Sequence, residues 1–305
     1  MTKIKSFMLA LLFSVPVWAS NIVTVRSPYD HNHAGNAALH AIFAQANNTQ
    51  SDFKFILSQN PGGQGLVAIN QVAPQSDLAL IHPSFVQNAV SGSINLDDWI
   101  PVAALGDACF LVISQNGSPT DGIKSLAKHK QPMLVGVVGL GSATHLMYLE
   151  IGDKLKLNLE PMLFKSAGEA GVTMVAQDEL VSTVVNHAQF SVIKANKNKI
   201  EPIAAFCPLR HPQYPNIKTI SEQGIQAPLV FNILVANKSM PAGRRETLTK
   251  ILDSAIKQVG KDQIFSLSNF ISPHNSNITI QEYYYQRISN MQKALQSHQD
   301  KLAIK

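Results

Sequence analysis

Apolar residues in this chain fall in short runs, each followed by a polar or glycine-rich turn and then by a stretch of helical period. Ile22, Val23 and Val25 predict a strand over 21–26. Ala38, Leu39, Ile42, Phe43 and Ala46 recur at the three-to-four spacing of one helix face, which predicts a helix over 36–47. A second strand is expected over 53–57. It runs into the turn Asn60-Pro61-Gly62-Gly63-Gln64-Gly65 and a helix through Leu66, Ile69 and Val72. The apolar run 78–81 reads as a third strand, ending at His82-Pro83-Ser84, with another short helix behind it. Strands alternating with helices at this spacing predict a parallel sheet covered by helices.

Strands over 99–105 and 109–114 follow, where the chain is expected to cross into a second lobe. Beyond a helix at 122–128, the stretch Leu134-Val135-Gly136-Val137-Val138 reads as a buried strand. It bends through Gly139 and Gly141 and restarts as a helix at Ala143, running to 155, with Ser142 placed to cap it. Strands at 159–164, 180–185 and 200–207 and a helix at 167–177 extend the alternation. Residues 194–199 read as a solvated loop or helix end, and 221–224 as the close of a short helix. The strand over 229–236 carries the chain back, and amphipathic helices over 242–259 and 281–295 end it. The organisation expected is a leader at 1–19, one lobe built from 20–107 plus 236–305, and a second from 108–235. No solenoid period and no low-complexity segment interrupts this.

Composition narrows the class. Lys3 and Lys5 precede the apolar stretch 7–17, and Val17-Trp18-Ala19 forms a small-x-small site before Ser20, the pattern of a cleaved secretory signal peptide. The apolar run falls short of the ~20 residues that a membrane span needs. No cysteine follows the site for lipid attachment. The formal charge of +5 includes two of the leader's lysines, and charged residues make up only 15% of the chain, so a nucleic-acid partner is not expected. Cys109 and Cys207 are the only cysteines. An exported chain permits a bridge between them, but the sequence leaves open whether they pair or stay as separate buried thiols.

The turn at Gly139, Gly141, Ser142 and Ala143 is the leading candidate for chemistry. A strand, a glycine turn and a capped helix start present free backbone amides and a positive helix end to an anion, although an ordinary strand–helix turn uses the same residues. A dinucleotide site fits poorly, because Thr144 stands where a third glycine belongs. His145 near Ser142 suggests a nucleophile and base, but no Gly-x-Ser-x-Gly elbow accompanies them, so a histidine packed on a cleft wall is the stronger reading. Asp30, His31 and His33 could ligate a metal, yet His-x-His in a loop fixes few ligands, and no metal or cofactor is assigned. Ligands in open α/β sheets sit at the carboxyl ends of strands, which nominates Tyr29, Asp30, His31, His82, Ser84 and Asn186. If Asp30 faces the cleft, it would accept a hydrogen bond from an ammonium or hydroxyl group and favour an amino acid.

In order along the chain, four landmarks resemble those of the Bug family, the periplasmic solute receptors of tripartite tricarboxylate transporters. Asn60 to Gly65 with Ala73-Pro74 is similar to the family's Asn-Arg-Pro-Gly-Ala-Gly-Gly turn. Gly139 to Leu146 is similar to its Gly-x-Gly-Ser-x-x-His-Leu. Phe164-Lys165-Ser166 stands for Tyr-Lys-Gly, and Arg210 to Pro215 with Thr219 to Gly224 resembles Arg…Pro…Pro-Thr-x-x-Glu-x-Gly. The first loop departs from the family: Ser27-Pro28-Tyr29-Asp30-His31-Asn32-His33-Ala34-Gly35 replaces Pro-Phe-Pro-Pro-Gly-Gly. The resemblance implies an α/β two-lobed Venus-flytrap periplasmic binding protein fold of type II character. It implies no catalysis, a small carboxylated solute (organic acid or amino acid) held largely by backbone amides, and a membrane permease as partner. A degenerate receptor serving interaction or sensing, and a metal-dependent hydrolase using the His-rich loop, are the alternatives.

Overall fold

The structure, a computed structural model, describes residues 21–31, 33–197, 199–273 and 277–302, so the expected leader at 1–19 lies outside the described residues. Two sheets organise the chain. In the first, β1 (Ile22–Ser27) runs parallel to β2 (Lys54–Gln59) and β3 (Leu78–Ile81). The helices α1 (Ala34–Thr49), α2 (Leu66–Asn70) and α3 (Pro83–Val90) follow these strands in turn. The long strand β4 (Trp99–Ala108) then leads out to the second sheet, where it is succeeded by β5 (Phe110–Gln115).

The second sheet repeats the alternation. β6 (Met133–Val137) is followed by α4 (Ala143–Leu155), β7 (Leu159–Leu163) by α5 (Ala167–Ala176), and β8 (Leu180–Val185) by α6 (His187–Asn196), before β9 (Ile200–Phe206). The chain returns through β10 (Phe231–Asn237), continues into α7 (Ala242–Val259), α8 (Lys261–Ser268) and the short β11 (Phe270–Ile271), and ends in α9 (Ile280–Ser297) and α10 (Gln299–Leu302). Strand orders are β11-β4-β10-β3-β1-β2 and β7-β6-β8-β5-β9.

Period-two alternation decides which helix covers which face of the first sheet. Val23, Val25, Leu78 and Leu80 pack with Leu39 and Phe43 of α1 and Leu248 and Leu252 of α7. Ala79, Ile81 and Ile233, on the opposite face, pack with Phe85 of α3 and Tyr284, Ile288 and Met291 of α9. Leu146 of α4 is fully buried in this second cluster, so α4 seals onto helices of the first sheet as well as its own.

Several local expectations change. The helix expected at 122–128 is of 3-10 type. Residues 221–224 form tight turns closed by Gly224 N–H on Ser221 O and Ile225 N–H on Ile220 O. The strand β10 pairs with β4 along its whole length and with β3 over its central part, Ile233 to Ala236. Helices α6 and α8 and strand β11 were not anticipated. In α6 only Phe190 and Ile193 are buried, too little apolar rhythm to announce a helix. Cys109, between β4 and β5, and Cys207, just past β9, form a disulfide with Cα atoms 4.4 Å apart, which answers the question their sequence left open.

Candidate functional site

Four helices begin where β1, β3, β6 and β8 end. Their N-caps are His33, His82, Ser142 and Asn186, and none of the four has an acidic residue in its first turn. By contrast, α5 and α9 carry Glu169 and Glu282 there. An acid-free first turn suits an anion at a helix end, although the Asp30 carboxylate acts on the α1 cap His33.

On the first-sheet side the loop after β1 is built inward. Asn36, fully buried in α1, accepts from the Ser27 hydroxyl at 2.6 Å and donates Nδ2 to the Asp30 carbonyl at 2.6 Å, pinning the loop at both ends. The pinned loop lays Tyr29 between two imidazoles, with ring centroids 3.5 Å from His33 and 5.5 Å from His82. The Tyr29 hydroxyl donates to Asn232 Oδ1 on β10 at 2.7 Å. Burial raises the Tyr29 pKa, against the smaller opposing effect of that hydrogen bond.

Both histidines spend Nδ1 on the backbone: His33 accepts from Gly35 N–H at 3.0 Å and His82 from Ser84 N–H at 3.3 Å. Burial lowers each to about 4, with Asp30 raising His33 slightly and the neighbouring His33 lowering His82 further. Each is therefore a neutral ring with its proton on Nε2 at neutral pH. Gly65, at φ +97°, lets the chain pass the His82 ring; a Cβ there would stand 3.3 Å from Nε2.

On the other side the Gly139 turn is less open than its sequence suggests. Gly141, at φ +72°, donates its amide to Nδ1 of His145 at 3.0 Å. Ser142 Oγ accepts from His145 N–H at 3.2 Å and shares a hydrogen bond with Thr144. The imidazole is thus bonded to Gly141 and not to the Ser142 hydroxyl, so the two do not form a nucleophile–base pair. What remains for an anion is the pair of first-turn amides of Ala143 and Thr144, which have no acceptor within the helix. Gly139 borders open space.

The two sides touch: Gln87, in α3, donates Nε2 to the Leu140 carbonyl at 3.0 Å. A cavity beneath His82, lined by Gln64, Gly65, Phe85 and Asn88, holds about 10 Å³, room for about one water.

Among the other nominated residues, Asp30 and His31 are solvent-exposed, and Ser84 is half-buried with its amide on His82. Asn186 is engaged in a capping box with Gln189, so its side chain has a structural task already. Among the described residues no group of three or more His, Cys, Asp or Glu comes together to hold a metal. Asn232 and Gln87 escaped the sequence reading. Asn232 left a trace there, as an amide inside an otherwise apolar strand, and it is fully buried with Nδ2 lacking a partner among the described residues.

No protein-family model and no curated protein sequence matches this chain. Solved structures do. A TctC solute-binding protein from Polaromonas matches with TM-score 0.73 at 16% identity, covering 92% of this chain and 99% of its own. The periplasmic binding protein BugD matches with TM-score 0.67 at 16% identity, covering 93% and 98%. An adipate-bound protein of R. palustris matches with TM-score 0.69 at 15% identity, covering 92% and 97%. The chain has the two-lobed fold of these periplasmic binding proteins, as the sequence landmarks implied. Among the described residues no helix is long and apolar enough to cross a membrane.

Proposed function

We propose that this protein is a Bug/TctC-type periplasmic receptor that captures a small carboxylated solute between its lobes and hands it to a tripartite permease. The observation that carries this reading is the set of four neutral-capped, acid-free helix N-termini at the strand ends of both sheets. Such ends bind carboxylates through backbone amides without an arginine. The adipate held by a protein of the same fold supports the ligand class.

In this reading lobe 1 comprises the strands of the first sheet and lobe 2 those of the second, and the links at Cys109 and before Phe231 are the hinge. The solute enters an open form and sits between the first turn of α4 and the Tyr29–His82 wall. It shuts the lobes because only the closed form offers both walls at once.

The test is thermal-shift screening of the mature protein with mono-, di- and tricarboxylates and amino acids. One class should raise the melting temperature by mass action, and Ser142→Trp should abolish that rise with circular dichroism unchanged. A rise of equal size in Ser142→Trp, or no response to any carboxylate, would refute the assignment.

A further inference from the structure

One void near the lobe junction lies away from the Gly139 turn. A pocket of about 590 Å³ opens between the loop after β9 and the edge of the first sheet. The strand orders locate it. The cleft strands β3 and β1, with β8 and β6, lie to one side of the crossing strands, whereas β11 and β9 are the edge strands on the other. The pocket is walled by Leu209 beyond β9, Phe265 of α8, Ile271 of β11 and Tyr283 of α9. It therefore sits behind the hinge, and Phe265 and Ile271 also pack on the cluster that contains the disulfide.

Its volume falls within the ~300–1,000 Å³ of small-molecule sites, and its walls are mainly apolar, as such sites are. The charged groups have distinct situations. Asp107 and Arg287 neutralise each other through two hydrogen bonds and share Tyr283, whose hydroxyl donates to Asp107 at 2.8 Å. Arg210 is paired with Glu222. Asp262 lies in the first turn of α8, where the helix end offsets its charge. Lys261 is the cation of the rim that makes no ion pair among the described residues, and its long stem can reach along an apolar guest to a charged end.

From this we infer that the hinge-side pocket is a second binding site, for an amphipathic organic anion whose apolar body fills the Phe265–Ile271–Tyr283 wall and whose carboxylate meets Lys261. Leu209 is 67% exposed, so its substitution can fill the mouth without disturbing a core. The inference does not depend on the reading of the interlobe cleft.

Calorimetric titration of the oxidised mature protein with decanoate tests it. Saturable one-to-one binding is expected. Lys261→Glu should weaken it by about tenfold or more, Leu209→Trp should abolish it, and Ser142→Trp should leave it unchanged. Absence of saturable binding, indifference to both pocket substitutions, or loss in Ser142→Trp alone would overturn the proposal, the last by placing decanoate in the cleft.

Discussion

The hydroxyl of Tyr29 donates to Oδ1 of Asn232 at 2.7 Å, joining residues 203 positions apart. It is the side-chain partner of a fully buried amide whose Nδ2 has none among the described residues. Tyr29→Phe keeps the ring stack and removes this bond, leaving the amide unsatisfied. The expected cost is about 1–3 kcal/mol, the usual penalty for orphaning a buried polar group. Urea unfolding should report it with an unchanged denaturant slope.

The same logic applies across the cleft. His145 is 3% exposed and accepts the Gly141 amide. Burial, and secondarily the charge of His298, lowers its pKa, which keeps the ring an acceptor at neutral pH. His145→Ala deletes the acceptor and opens a small cavity beside Leu146. A loss of about 2–4 kcal/mol is expected from the orphaned amide and the cavity together. His145→Asn, able to accept from the same amide, should recover part of it.

Closure has a handle in Gln87, whose side chain bridges the two sides of the cleft by bonding the Leu140 carbonyl. Gln87→Ala removes that link from a half-exposed position, so stability should move by less than about 1 kcal/mol. The population should shift toward the open form, seen as a larger radius of gyration in small-angle scattering. An unchanged radius would mean that Leu146 and the rest of the α4–α9 packing hold the lobes shut without it.

The alternating first hundred residues were legible because their apolar periods are clean and each strand ends in a turn residue. The strand–turn–helix at Gly139 was legible as geometry, from its glycines and the Ser142 cap. What the sequence did not disclose was competition for the same amides. Nothing in Gly139-Leu140-Gly141 announces that His145, four residues on, will take the Gly141 N–H. His33 and His82 were read as candidate ligands for a metal or solute, yet each uses one ring nitrogen as a helix cap, a role that Ser or Asp fills more often. Asn232 lay in plain view, but its partner Tyr29 is a whole chain away, and only the fold brings the two together.

Three buried or half-buried rings make stability depend on acid. His33, His82 and His211 all have pKa values lowered from 6.5 to about 4, chiefly by burial. The unfolded chain takes up protons near 6.5, whereas the folded one resists until about 4, so between these values the unfolded state binds more protons. Their contribution is complete above pH 6.5 and is lost progressively as pH falls to 4. Melting temperatures measured across this window should drop on acidification. His82→Ser keeps a cap for α3 but removes one titrating ring, and should flatten the slope.

The disulfide between Cys109 and Cys207 joins residues 98 apart, tying the step from β4 to β5 to the end of β9. Bridging so long a loop restricts the unfolded chain, for which about 2–5 kcal/mol is the usual yield. Reduction, or the double substitution of Cys109→Ala and Cys207→Ala, should lower the unfolding free energy by that amount and the midpoint with it. Both sulfurs are buried, and the cluster around them includes Ile217 with Phe265 and Ile271 packed against it. Loosening should therefore be local before it is global. Amide exchange should accelerate first in β11 and around Cys109 and Cys207, while α1 and α7, in a separate core, keep their protection. Equal midpoints for oxidised and reduced protein would show that the crossing is held by strand pairing and packing alone.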